Sequence, residues 1–127
     1  MNFQKVVFAF FILLALTLNF GFVLGAIDAP DHHNIYELFA AIVVNLIATV
    51  MKFGERSHIG NVLLASSLVA DLQLLVSACI WGWVAHISAD GVTPGAMASI
   101  VSLAAGAFIA NIVSVILLMV ETATFRR

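Results

Sequence analysis

Polar positions are scarce in this chain, and where they fall divides it into four long apolar runs. The first covers Val6–Ala26, the second Ile35–Lys52, the third Asn61–Val84 and the fourth Ala96–Val120. Each reaches or approaches the roughly 20 apolar residues that a helix needs to cross a bilayer. The links between them, "IDAPDHHN", "FGERSHIG" and "AHISADGVTPG", hold the Gly, Pro, Asp and Asn expected of breakers. The expected fold is all-α, an integral membrane four-helix bundle forming one domain over residues 1–127. The first run has too long an apolar core and too poor a cleavage site for a secretory signal. It is expected to be retained as a span.

Helical spacing sorts the faces. At about 100° per residue, Val62, Leu68, Val69, Leu72, Leu75, Val76 and Cys79 share an apolar face of the third run. The opposite arc carries Ser66, Ser67, Ala70, Asp71, Gln73, Ser77 and Ala78, with Asp71 and Gln73 at its two edges. Those two side chains should therefore meet different neighbouring helices. The second run has its own polar stripe: Glu37, Ala41, Asn45, Ala48, Thr49 and Lys52. On the fourth, Ala98, Ser102, Gly106, Ala110 and Ser114 recur every fourth residue, a shallow ridge of the kind that lets helices approach closely. Thr17, Gly21 and Gly25 repeat it more weakly on the first run.

Composition agrees with the pattern. Of the 127 residues 63% are hydrophobic and 9% charged, against about 25% charged in soluble domains. The charges are informative by position. All five Lys and Arg residues, Lys5, Lys52, Arg56, Arg126 and Arg127, fall on one side of the spans. The positive-inside rule then puts both termini in the cytoplasm. Asp28, Asp31, Glu37 and Asp90 occupy the other side, with Tyr36, Trp81 and Trp83 as an interfacial belt. One-sided charge excludes head-to-tail pairing of oppositely inserted copies, so any homo-oligomer should be parallel.

Asp71 is the residue that raises a functional question. It lies near mid-bilayer, where an Asp costs about 2.5–3.5 kcal/mol on the insertion scale. Such a group must be protonated, hydrogen-bonded, paired or wetted. Asn45, Asn19, Asn111 and Ser67 lie at comparable depth, and Lys52 is placed at the cytoplasmic edge, too far to pair. Two readings stay open. In one, Asp71 with Asn45 and Gln73 lines a proton or monovalent-cation path, with Glu37 and Asp31 as an external acidic mouth. In the other, Asp71 only staples helices, and the protein is a non-catalytic accessory subunit of a larger membrane transport complex.

Other chemistry is weaker. "TVMKFG" is a poor likeness of a potassium filter, because Lys52 would repel cations. "DAPDHHN" could offer metal ligands, but a solvated loop is the simpler expectation, and no metal or other cofactor is expected. Cys79 is the only cysteine and is expected to be inert packing. Signatures of hydrolases, zinc enzymes and phosphate-binding loops are missing, so no catalytic residue is expected. Five scattered basic residues do not make a nucleic-acid surface.

Across its length, through "NLIATVMKFGERSHIG" and "SLVADLQLL", the chain resembles a group of small bacterial inner-membrane proteins of four spans without assigned activity. The resemblance implies a multi-pass inner-membrane location and an association with potassium uptake. It transfers no site residue.

Overall fold

A computed structural model describes residues 3–53 and 58–125, and within these the fold is four helices and one short 3-10 turn. Helix α1 covers Phe3–Val23, α2 Ile35–Lys52, α3 His58–His86 and α4 Pro94–Phe125, with the 3-10 turn at Pro30–His32. All four helices are long and apolar enough to cross a membrane. Arg56, Arg126 and Arg127, on which the charge asymmetry partly rests, lie outside the described residues.

Local chemistry accounts for the helix ends. Asn34 caps α2, its Oδ1 accepting from the Tyr36 amide at 2.8 Å, and Glu37 follows in the first turn. Thr93 caps α4: its Oγ1 accepts from the Ala96 amide at 3.1 Å, and Pro94 takes the first helical position, where no amide hydrogen is needed. Gly25, with φ +99°, turns the chain out of α1. A Cβ there would sit 2.7 Å from Cβ of His32, so the tight turn needs glycine twice over.

The helices pack in a ring, α1 on α2, α2 on α3, α3 on α4 and α4 on α1. Consecutive helices are antiparallel. One end therefore carries the α1–α2 and α3–α4 connections and most of the acidic residues. The other carries the α2–α3 connection, Lys5 and Lys52. These are called the acidic and basic ends below.

Burial follows alternating three- and four-residue steps on every helix. The buried line is Phe8, Ile12, Ala15, Asn19, Phe22 on α1 and Leu38, Ile42, Asn45, Thr49, Lys52 on α2. On α3 it is Gly60, Leu63, Ser67, Ala70, Leu74, Ser77, and on α4 Met97, Ile100, Ala104, Ala107, Asn111, Ser114, Glu121. A 3.5-residue period is the seam of a left-handed bundle. Leu68, Val69, Leu72, Leu75 and Val76 point outward, as an apolar face turned to lipid does.

Along this seam the apolar core is split. A larger cluster toward the acidic end joins Phe22, Leu38, Ala41, Leu74, Met97, Ile100 and Ala104 to their neighbours. A smaller one toward the basic end holds Phe8, Ile12 and Ala48, flanked by Met51, Val115 and Leu118. On α2 the residue between the clusters is Asn45; on α4 it is Asn111, followed one turn later by Ser114.

Candidate functional site: a polar layer between two apolar cores

Seam positions place the side chains of this layer. Asn45, Ser67, Asn111 and Ser114 are fully buried, Thr49 is 3% exposed and Asp71 5%. Asp71 lies one step off the α3 seam, turned toward α2. Its Oδ2 is 2.5 Å from Oγ1 of Thr49, which is also 2.9 Å from the Asn45 carbonyl oxygen one turn back. Asn45 Nδ2 donates to the Ala41 carbonyl at 3.2 Å. Across the bundle, the hydroxyls of Ser66 and Ser114 lie 2.6 Å apart, joining α3 to α4.

Much of the layer's hydrogen-bonding capacity has no protein partner. Buried and unpartnered in it are Asn45 Oδ1, Ser67 Oγ, Asp71 Oδ1 and both amide atoms of Asn111; Gln73 Oε1, outside the layer, is unpartnered too. Native interiors leave few such atoms, and each costs roughly 1–3 kcal/mol. Of the layer's five such atoms four are oxygens. An oxygen-rich, carboxylate-bearing set is the donor chemistry of protons and hard cations.

The remaining sequence candidates are dispersed. Gln73 leaves the other edge of the α3 arc and lies against α4, where Gly106 makes room: a Cβ on Gly106 would sit 2.7 Å from Gln73 Nε2. Glu37 is half-buried near the acidic end, its carboxylate filling the space beside Gly21 of α1. It belongs to the α1–α2 contact, well above Asn45 on the same helix. On α4, Ala110 and Ser114 are buried, Ala98 and Gly106 partly so, and Ser102 is exposed. A four-residue repeat drifts around the helix relative to the 3.5-residue seam, which carries Ser102 outward.

Lys52 and Asn19 both have partners other than Asp71. Lys52 ends α2, but its head turns inward: it is 8% exposed, lies 4.4 Å from the centre of the Phe8 ring and 4.0 Å from Glu121 Oε1. Asn19 shares the depth of Asp71 but not its side of the bundle. With its amide oriented by its partners, Nδ2 donates to the Ala104 carbonyl and Oδ1 accepts from the Phe108 amide, both at 3.0 Å. Depth alone does not set which helix a side chain faces. Thr49 and Glu121 are the partners that sequence reasoning missed. Thr49 follows Asn45 by one turn on the stripe already drawn, and Glu121 falls seven residues after Ser114 on the seam. A heptad reading of α4 would have found it.

Thr49–Lys52 form the last turn of α2, and the Val50 carbonyl accepts from the amide of the capping residue Phe53, so the segment is a helix end and not the extended loop of a filter. Gly54 of that motif lies outside the described residues. Cys79 is exposed on the outward side of α3. Among the described residues no group of three His, Cys, Asp or Glu side chains could hold a metal.

The arrangement is therefore a helical bundle of membrane type with buried polar residues between its two apolar clusters. The chain belongs to the family of unknown function DUF6394, whose match covers residues 32–122 and so spans α2, α3 and nearly all of α4. No curated protein and no solved structure matches it.

Proposed function

We propose that the protein is a small ion-coupled membrane protein that binds a proton or a monovalent cation at Asp71. The observation that supports this most is the unpartnered, buried Oδ1 of that carboxyl, one of several orphaned oxygens in the interior of the bundle. Hydrogen counting adds to it. Thr49 Oγ1 has one hydrogen and two oxygens in reach, Asn45 O and Asp71 Oδ2. Both contacts become hydrogen bonds when the Asp71 carboxyl carries a proton and donates to Thr49, which donates on to Asn45 O. A cation of suitable size would instead draw on the unpartnered Oδ1 of Asp71.

Apolar clusters on both sides of the layer favour an occluded site over a continuous pore. Ion exchange would require one end of the bundle to open at a time. In the same proposal the protein sits in a bacterial inner membrane with both termini cytoplasmic, the acidic end outside, as a parallel homo-oligomer. That extension rests on the one-sided basic residues.

The test is flux. Purified protein in liposomes should move protons, or one of Li+, Na+ and K+, across the membrane at a rate above that of empty liposomes. Asp71→Asn should reduce that rate to background. The second reading, an accessory subunit of a larger membrane transport complex, is favoured by the Thr49–Asp71 bond, which a helix staple would also make. It predicts no flux, and Asp71→Asn would then weaken only assembly or stability.

A further inference from the structure

At the acidic end, far from the polar layer, lies a histidine pair with opposite proton requirements. His33 is 4% exposed. Its Nδ1 is 2.6 Å from the Phe22 carbonyl oxygen and its Nε2 is 2.8 Å from the Ala26 carbonyl oxygen. Both neighbours are acceptors only. A neutral imidazole has one N–H and one lone pair, so one of these contacts would set lone pair against lone pair. Both are hydrogen bonds only for the doubly protonated ring. The Phe22 carbonyl is in the last turn of α1, where the helix dipole favours a cation. His32 has the reverse arrangement: its Nδ1 accepts from the Ala26 amide at 2.8 Å, which requires an unprotonated nitrogen.

We infer that His33 is a proton-binding site that latches the α1–α2 connection to the end of α1, closed when His33 is charged and His32 neutral. The latch holds more than a loop. Phe22 is fully buried in the larger apolar cluster, and its ring lies 5.7 Å from the His33 ring and 6.0 Å from that of Trp81 on α3. Loss of the His33 proton removes one of the two bonds that tie the start of α2 to the end of α1, beside the residue that fills the acidic end of the core.

Other titratable groups on the neighbouring elements are Asp28 and Asp31 in the connection, Tyr36 and Glu37 in the first turn of α2, and His86 and Asp90 at the far end of α3 and its link. All but Glu37 are exposed, and Glu37 is engaged beside Gly21. The two carbonyls hold His33 directly. Only the further consequence, that an open latch admits ions to the Asp71 layer, rests on the function proposed above.

The test is made on the full chain in lipid nanodiscs and does not depend on transport. Nitrogen-15 NMR of histidine-labelled protein should show both His33 ring nitrogens protonated while the amides of residues 22–33 resist hydrogen exchange. The closed state binds one proton more than the open one, so opening becomes easier as pH rises, by up to about tenfold per pH unit. His33→Gln, which cannot donate toward both carbonyls from separate positions, should remove that pH dependence. Should the variant fail to fold, the wild-type spectra decide alone. A neutral His33 tautomer together with pH-independent protection would overturn the latch.

Discussion

His33 and Asn111 are buried to almost the same degree, 4% and 0% exposed, yet they live on opposite terms. Each polar atom of the His33 ring has a carbonyl oxygen within 2.8 Å. Asn111 has neither amide atom partnered. One region spends its polar groups on holding a connection in place. The other keeps them buried and unspent between two apolar clusters. Because a buried orphan costs stability while a satisfied group costs little, the polar layer is the part of the bundle that structure alone does not justify. That contrast is the reason function is placed at Asp71 and regulation at His33.

The basic end supplies a second satisfied site and the largest expected effect. Removing one member of a buried ion pair strands the other, at about 3–5 kcal/mol. Lys52→Met should therefore lower the unfolding free energy by about that much in detergent denaturation, with Glu121 left in its apolar surroundings. Replacing both with Met and Leu should recover most of the loss. If Lys52→Met is neutral, the pair is not a closed structural contact and the comparison loses one arm.

A smaller effect of opposite sign is expected in the layer. Asn111→Leu removes two orphaned atoms and fills the same seam position. It should stabilise the bundle by about 1–3 kcal/mol in the same assay, while lowering the flux that Asp71 supports. Destabilisation by that substitution would mean that the Asn111 amide is engaged after all, and the layer would read as a structural network.

How much of this was legible beforehand varies with the physics involved. Helix number and the outward face of α3 followed from hydropathy and a 100° turn, because lipid rewards an apolar face directly. That Asp71 and Gln73 meet different helices followed from angle alone; which helices those are did not. Thr49 as the partner of Asp71 did not, since an azimuth on one helix says nothing of the rotation of its neighbour. Lys52 was placed at the edge of the second run and at the end of its polar stripe. Its inward turn depends on Glu121, which lies nearly seventy residues away in sequence. The His33 latch was illegible because it is made with backbone carbonyls, which carry no sequence signal.

The central claim is that the Asp71 carboxyl exchanges an ion instead of standing as a fixed staple. Infrared spectroscopy of the protein in lipid, with isotope-labelled aspartate, reads this through the C=O stretch of a protonated carboxyl, assigned by its loss in Asp71→Asn. The account predicts that this band is present and is removed reversibly, by raising the pH or by adding one of Li+, Na+ and K+. A band that stays unchanged through every pH and cation titration, or that never appears, would contradict it.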